Sequence, residues 1–347
     1  MKIPYPNQRL FKFSAAFLFL FSLILTISPA VRERNWSVNY RWDHWIGYIV
    51  WFVLTWISQR VIFRRLPDTD PILLPVASIL SGWGLLTIWR LDPYFGMRQT
   101  IWLIVAVCTF LIVLHLPPKL SFFRRYKYLI LLGGILLTAL TLIFGTNPSG
   151  FGPRLWIGGA DIYLQPSEPL KLLLVLYLAA YLADRLPIET SDTLKRKSFR
   201  HIISIPLIFP TIVLTGLSLL ILFVQRDLGT ASIFLLIYTI ILYLATGKKR
   251  VLILTALILG FAALAGFFFI DIIRTRLDVW LIPWADPSGS SYQIVQSLLA
   301  IANGGTFGRG VGLGSPTLVP VAISDFIYTS ITEETGLIGA IGLLILL

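Results

Sequence analysis

The chain has 347 residues, of which 56% are hydrophobic and only 13% are charged, and its mean hydropathy is +0.80. These values exclude an ordinary soluble enzyme and are typical of a polytopic membrane protein. The net charge of +12 does not indicate nucleic-acid binding, because the basic residues cluster in short loops between apolar runs. The single cysteine, Cys108, lies inside an apolar run, which excludes an intrachain disulfide framework and a cysteine-based metal cluster.

Apolar runs of the length that a bilayer requires divide the chain. Since lipid offers no partner to backbone polar groups, each run is predicted to be a helix. The predicted fold class is therefore an all-α polytopic membrane protein, a bundle of about ten transmembrane helices. The predicted spans are 11–30, 45–63, 71–89, 99–116, 127–145, 168–184, 202–224, 228–246, 251–270 and 326–347.

The distribution of basic residues predicts the orientation of these spans. With the N-terminus in the cytoplasm, 18 lysines and arginines lie in the inside loops and ten in the outside loops, as the positive-inside rule requires. The loop 146–167, the turn 224–227 and the long loop 271–325 are then extracytoplasmic. The chain ends at Leu347 inside an apolar run without a polar tail, so we expect a sequence that is truncated at its C-terminus.

The stretch from Trp280 to Gly336 is the longest polar interruption in the chain. Loops of more than about 12–15 residues in a compact fold are usually functional or disordered. Trp284, Tyr292 and Phe307 give this loop too much apolar surface for disorder. We therefore expect an ordered loop that carries chemistry.

Three polar clusters precede this loop, and the first two surround Arg98 and Ser167. Arg98 opens the fourth predicted span, either as an anchor at the lipid headgroups or as a functional cation. Ser167 is placed to cap the sixth span, with Glu168 in its first turn. Lys171 lies three residues further on, so an ion pair with Glu168 is expected, either to lock the bundle or to organise a polar cavity.

A third cluster surrounds Asp227, which starts the span 228–246 and is either a helix cap or a site residue. Residues 302–314 carry six glycines, and their backbone N–H groups predict either a phosphate cradle or a flexible lid. This is neither a Walker A motif nor a dinucleotide-binding turn.

The most informative residue is Asp325, where the chain returns to the membrane. An aspartate at a helix start is commonly a cap. Glu333 and Glu334 follow in an apolar context, which capping does not explain, and several intramembrane carboxylates indicate a functional site. The three histidines lie far apart, so no histidine metal site is predicted.

Taken together and in order, these motifs resemble those of the SEDS family (shape, elongation, division and sporulation) of bacterial membrane proteins. The resemblance covers about 71–347. It rests on Arg98-Gln99, Gln165-Pro166-Ser167-Glu168 with Lys171, Gln225 with Asp227-Leu228-Gly229-Thr230, Trp280 with Asp286-Pro287 and Tyr292-Gln293, Gly304-Gly305 with Gly308 and Gly310, and Ser324-Asp325-Phe326-Ile327 with Glu333-Glu334.

Two departures from the family pattern accompany the resemblance. Arg226 stands where proline is usual, and the residues before Asp325 read Val321-Ala322-Ile323-Ser324 rather than the usual Pro-Glu-Ala-His-Thr. Residues 1–70, with two spans, are additional to the family core at 71–347, and two core helices would follow Leu347.

The resemblance implies a peptidoglycan glycosyltransferase that polymerises lipid II at the outer face of the bacterial cytoplasmic membrane, during elongation or division, by inverting glycosyl transfer. Asp325 matches the proposed catalytic aspartate of the family. The expected roles of the remaining candidates divide into two groups. Arg98, Arg276, Arg309, Gln293, Gly304 and Gly305 bind substrate or pyrophosphate, and Gln165, Ser167, Glu168, Lys171, Asp227, Glu333 and Glu334 organise the cavity.

The expected partners are lipid II, a class B penicillin-binding protein and other membrane proteins of the elongation or division machinery, with no nucleic acid. A divalent cation, Mg²⁺ or Mn²⁺, could share the stabilisation of the leaving group, while no organic cofactor is expected. Two alternatives remain at this stage: a lipid II flippase, for which buried ion pairs would also serve, and a non-catalytic scaffold.

Overall fold

The computed structural model describes residues 6–67, 69–116, 121–148, 150, 152–159, 162–185 and 205–347. The predicted all-α membrane fold is confirmed, since each of the ten predicted spans overlaps one helix. The span 202–224 starts outside the described residues, and so do the basic residues Lys2, Lys119, Lys195, Arg196, Lys197 and Arg200 that entered the orientation argument.

The helices, in chain order, are α1 (Pro6–Glu33), α2 (His44–Arg65), α3 (Leu73–Leu91), α4 (Pro93–His115), α5 (Ser121–Arg125), α6 (Lys127–Phe144), α7 (Ser167–Arg185), α8 (Ile205–Val224), α9 (Leu228–Thr246), α10 (Lys249–Phe269), α11 (Asp271–Leu281), α12 (Tyr292–Gly304) and α13 (Ile327–Leu346). Eight of them, within the described residues, are long and apolar enough to cross a membrane: α1, α2, α3, α4, α6, α9, α10 and α13. The apolar part of α8, Ile208–Val224, is shorter, and the 19-residue α7 carries four charged side chains.

The chain divides into two compact units. Unit 1 comprises Met1–Leu116 and Ile272–Leu347, and unit 2 comprises Pro117–Asp271. The predicted boundary at residue 70 separates the two additional spans from the family core and is drawn from sequence motifs. It does not concern compact units, and it stays a prediction.

Unit 1 packs around tryptophan side chains that fit against glycines of neighbouring helices. The Trp89 ring of α3 lies where Gly47 of α2 and Gly96 of α4 leave room, and a Cβ atom at Gly47 would come within 2.5 Å of its Nε1. Trp89 Nε1 donates a hydrogen bond of 3.0 Å to Thr100 Oγ1. Trp51 of α2 is fully buried and donates to the Ser78 carbonyl at 2.8 Å. Small residues thus allow the close helix contacts on which packing in a bilayer depends.

Unit 2 packs α6, α7 and α9 around a buried core that includes Leu131, Leu174, Tyr177 and Phe234. A hairpin of two short antiparallel strands, β1 (Ile157–Gly159) and β2 (Ile162–Leu164), precedes α7. The hairpin lies in the predicted outer loop 146–167 and is a minor addition to the all-α prediction.

The long loop 271–325 is ordered, as its aromatic content predicts. It contains α11, α12 and two single 3₁₀ turns, at Pro283–Ala285 and Pro316–Leu318. Asp286 stabilises the turn between the 3₁₀ turn Pro283–Ala285 and α12. Its carboxylate accepts hydrogen bonds from the Ser290 amide at 2.7 Å and the Ser290 hydroxyl at 3.1 Å. These bonds lower the pKa of Asp286, the bond from the amide most strongly.

Candidate active site

Helix α13 is broken at Gly336, whose φ of 70° and ψ of −170° no other residue adopts easily. The break leaves the carbonyls of Glu333 and Glu334 without their usual partners four residues on. The amides of Arg309 and Gly310 donate to these two carbonyls instead, each at 3.0 Å. The glycine-rich segment of the long loop therefore supplies the hydrogen bonds that the broken helix lacks.

The same segment also accepts hydrogen bonds from the far side of the break. The amides of Leu337 and Ile338 donate to the carbonyls of Gly305 at 2.9 Å and Thr306 at 3.3 Å. Gly308 has a φ of 82°, and a Cβ atom there would collide with the Glu334 carbonyl oxygen. Within the described residues, close backbone approach thus explains Gly308. The amides of Arg309 and Gly310, which a phosphate cradle would need, already donate to the helix.

Glu333 and Glu334 are buried on the N-terminal side of the break, with exposed fractions of 3% and 5%. Glu333 Oε1 accepts a hydrogen bond of 3.1 Å from the Ser315 amide, while its Oε2 has no hydrogen-bond partner in the described part of the chain. Gly314 lies directly against both side chains. Both glutamates therefore face the glycine-rich segment from inside unit 1.

Arg90, at the end of α3, neutralises Glu334. Its Nε lies 3.2 Å from Glu334 Oε1, as an ion pair without hydrogen-bond alignment, and both side chains are 5% exposed. Its Nη2 donates to the carbonyls of Gly312 at 3.1 Å and Gly314 at 3.2 Å. In the predicted topology, Arg90 is one of the ten basic residues of the outside loops. The signal that indicates its role is the intramembrane glutamate itself, which requires a cation.

Asp325 lies in the turn that leads into α13. Its amide donates to the Val321 carbonyl at 3.1 Å, and Phe326, not Asp325, occupies the N-cap position of the helix. The Asp325 side chain is exposed, and within the residues described it has no hydrogen bond or ion pair. The cap interpretation of Asp325 is therefore wrong in this structure, and its carboxylate is free.

Packing holds the Asp325 turn in place. Phe326 packs with Leu91 of α3 against a small buried cluster formed by Ala300, Val319 and Ala322. This cluster joins α12, the loop and the start of α13. The carboxylate is therefore exposed on a backbone that is anchored on both sides.

The other candidates of unit 1 lie on different elements. Arg98 is half-buried. It lies in the second turn of α4 and not at its start, because Asp92 caps that helix and Pro93 starts it six residues before the predicted span. Arg276 is exposed on α11, and Arg309 is exposed and donates to the backbone and side chain of Asn303, both at 3.4 Å. Gln293 donates from α12 to the Pro320 carbonyl at 3.3 Å, which ties α12 to the segment before Asp325.

Gly304 and Gly305, the remaining candidates of unit 1, end α12. A Cβ atom at Gly304 would collide with the Thr332 carbonyl oxygen, and the Gly305 amide donates to the Ala302 carbonyl at 3.2 Å. Both glycines therefore lie at the contact between α12 and α13.

Unit 2 holds the remaining candidates. Asp227 caps α9 by accepting from the Thr230 amide at 3.2 Å, and Gln165 Nε2 donates to its other oxygen at 3.4 Å. The expected Glu168–Lys171 ion pair is confirmed at 2.8 Å. The expected cap at Ser167 is wrong: Ser167 is the first residue of α7, and its buried hydroxyl has no hydrogen-bond partner among the described residues.

The family model for cell cycle proteins of the FtsW, RodA and SpoVE type matches residues 73–347. The peptidoglycan glycosyltransferase RodA of Mycobacterium leprae is 31% identical, over 99% of this chain and 75% of its own length. A probable peptidoglycan glycosyltransferase FtsW of Geobacter sp. strain M18 is 28% identical, over 80% of this chain and 76% of its own.

A similar solved structure carries the description "Structural coordination of polymerization and crosslinking by a peptidoglycan synthase complex". Its sequence identity is 24%, it covers 87% of this chain and 74% of that chain, and the TM-score is 0.49. The family assignment rests on the sequence matches, which confirm the resemblance seen in the motifs. The chain belongs to the FtsW, RodA and SpoVE family of cell cycle proteins.

Proposed function

We propose that Asp325 is the general base of a peptidoglycan glycosyltransferase that polymerises lipid II into glycan strands at the outer face of the cytoplasmic membrane. The chain is a multi-pass membrane protein, and relatives that match it over most of its length are named peptidoglycan glycosyltransferases. The observation that supports the role of Asp325 is its exposed, unpaired carboxylate on an anchored turn at the start of α13.

The proposed reaction is a single displacement. The Asp325 carboxylate takes the proton from the 4-hydroxyl of the acceptor sugar while that oxygen forms a bond to the anomeric carbon of the donor. The bond from the anomeric carbon to the lipid diphosphate breaks, and the diphosphate leaves with the electron pair. Attack opposite the leaving group inverts an α-linked donor into a β-linked glycan. A carboxylate engaged in capping would be a poorer base, so the free state of Asp325 fits this role.

Positive charge is needed where the diphosphate leaves. Arg276 and Arg309 are exposed cations on the same ordered loop, and Arg98 lies in the second turn of α4. We assign these three arginines to the leaving group, and Gln293 to holding the segment before Asp325. Glu168, Lys171 and Asp227, which form structural contacts in unit 2, organise that unit in this proposal.

A divalent cation could assist the departure of the diphosphate. In the part of the chain that the structure describes, no three histidine, cysteine, aspartate or glutamate residues are grouped as metal ligands. The described residues therefore do not form a cation site by themselves. A Mg²⁺ or Mn²⁺ ion would be held chiefly by substrate phosphates, as is common for Mg²⁺, and no step above depends on it.

The proposed topology places the N-terminus in the cytoplasm of a bacterial cell and Asp325 outside, following the excess of basic residues in the inside loops. A lipid-linked donor stays in the bilayer because each buried methylene contributes about 0.8 kcal/mol. We further propose a class B penicillin-binding protein as the partner that cross-links the strands, together with other membrane proteins of the elongation or division machinery.

The test compares the purified protein, with its class B penicillin-binding protein, against the variant Asp325→Asn, using labelled lipid II. The matched control is Asp278→Asn, an exposed aspartate on α11 of the same loop. We expect the control to form glycan strands at the wild-type rate and Asp325→Asn to lose about 10²-fold or more, the contribution of a general base.

Two outcomes would contradict the proposal. Equal strand formation by wild type and a folded Asp325→Asn variant would exclude Asp325 as the base and leave the glycosyltransferase activity standing. A failure of the intact wild-type complex to form strands, with labelled lipid II crossing the bilayer of vesicles, would favour the flippase.

A further inference from the structure

A cavity of about 320 Å³ lies in unit 1, at the end where α1 and α3 finish and α2 and α4 begin. Its charged lining residues are Arg32 at the end of α1, Arg41 and Asp43 before α2, and Arg90 at the end of α3. The backbone of Gly314–Thr317 closes one side. None of the residues assigned above to catalysis or to the leaving group lines this cavity.

The cavity has an excess of positive charge. Three arginines line it against the single carboxylate of Asp43. Glu334, outside the lining, neutralises Arg90, which leaves Arg32 and Arg41 to face Asp43, and the described residues show no salt bridge between them. Arg41 Nη1 donates to the Arg90 carbonyl at 3.4 Å. Its partial burial and the neighbouring charges of Arg90 and Arg32 lower the pKa of Arg41. A bound anion would relieve this crowding.

Most of the charge that lines this cavity lies outside the region that the family model matches. Arg32, Arg41 and Asp43 precede residue 73, where the family match begins. The extra helices α1 and α2 therefore add charged groups to the end of α3 that the matched region alone does not have.

We propose that this cavity binds a phosphate-bearing anion. Arginine is suited to phosphate because its planar group donates two parallel hydrogen bonds to a pair of oxygens. The volume is at the lower limit of ligand pockets, about 300 Å³. It accommodates a phosphate, a diphosphate or a phospholipid head group, and it is too small for the disaccharide peptide of lipid II.

Two experiments distinguish the sources of this phosphate. In the first, delipidated protein in an uncharged detergent is titrated with sodium pyrophosphate by calorimetry. In the second, the protein is placed in nanodiscs of phosphatidylcholine with or without phosphatidylglycerol, and the lipid that it retains is identified by native mass spectrometry. Binding in the first alone indicates a soluble anion, and selective retention of phosphatidylglycerol indicates a lipid head group.

Variants test whether the cavity is the site. Arg41→Gln should bind roughly tenfold more weakly, because one hydrogen bond to a charged group contributes about one decade of affinity. Arg34→Gln removes a charge from the same connection outside the cavity lining and should bind as the wild type does. Asp43→Asn removes the carboxylate that opposes the arginines. The Asp43 side chain makes no capping hydrogen bond to α2, so this variant should fold and bind the anion more tightly.

The Asp43→Asn variant keeps the proposal testable if Arg41→Gln fails to fold, since the two changes act in opposite directions. Tighter binding by Asp43→Asn with unchanged binding by Arg34→Gln would support the site. The proposal is overturned if the wild type binds neither probe, or if all folded variants bind equally.

Discussion

The buried ion pair between Arg90 and Glu334 allows a quantitative test of how unit 1 is held together. The perturbation is Arg90→Met, which keeps most of the side-chain volume and removes the charge. It leaves Glu334, 5% exposed, without its cation. It also removes the hydrogen bonds that Arg90 donates to the carbonyls of Gly312 and Gly314.

The expected magnitude follows from the separation of 3.2 Å, at which two unit charges attract by about 5 kcal/mol with an effective dielectric constant of ~20. The cost of burying both charges offsets most of this attraction in the intact pair. Removal of one partner loses the attraction and keeps the other burial cost, so we expect Arg90→Met to destabilise the protein by about 3–5 kcal/mol. The double variant Arg90→Met with Glu334→Met should lose clearly less than the sum of the two single changes, by about 2–3 kcal/mol.

The assay is reversible unfolding in mixed micelles, followed by tryptophan fluorescence for the wild type, the two single variants and the double variant. Arg64→Met, an exposed arginine in the last turn of α2, is the control and should stay within about 0.5 kcal/mol of the wild type. If the two single changes add without coupling, or if Arg90→Met unfolds like the control, the ion pair does not hold α3 to α13.

Three further changes test other contacts. Gly336→Ala should destabilise by about 3 kcal/mol or more, because its positive φ and the adjacent backbone leave no room for a Cβ, whereas Gly342→Ala, in open space, should be neutral in the same unfolding assay. Gln225→Ala should cost about 1–3 kcal/mol, because the buried amide donates two hydrogen bonds to α6, and hydrogen exchange in α6 should then rise. The turn held by Asp286 should be protected at neutral pH and opened as the pH falls through its lowered pKa. The protection factor of the Ser290 amide against hydrogen exchange measures this opening. The variant Asp286→Asn should make that protection factor independent of pH.

Local patterns were sufficient for the parts of the structure that depend on neighbours in sequence. Apolar runs predict the ten helices because lipid excludes every other backbone arrangement in an isolated span. The cap at Asp227 and the pair Glu168–Lys171 join groups three residues apart. Helix α4 starts six residues before the predicted span 99–116, although Asp92 followed by Pro93 is a local helix-start signal.

Contacts distant in sequence were not predictable in this way. Nothing near Arg90 indicates that it is buried against Glu334, since a basic residue at the end of an apolar run is equally consistent with an interfacial anchor. The free carboxylate of Asp325 was also not determined by its position, because aspartate before a helix commonly caps it. Here the helix starts one residue later than a cap at Asp325 would require.

The break in α13 connects these observations. An intact helix would satisfy the carbonyls of Glu333 and Glu334 internally, and the amides of Arg309 and Gly310 would then lose their partners. Because the helix is broken at Gly336, that segment is bound into unit 1 by four backbone hydrogen bonds, with Arg90 neutralising Glu334 beside them. The long loop is therefore fixed to the same helix that Asp325 precedes. A free carboxylate serves as a base only if its position is fixed, and the glycines explain how a loop between membrane spans meets that requirement.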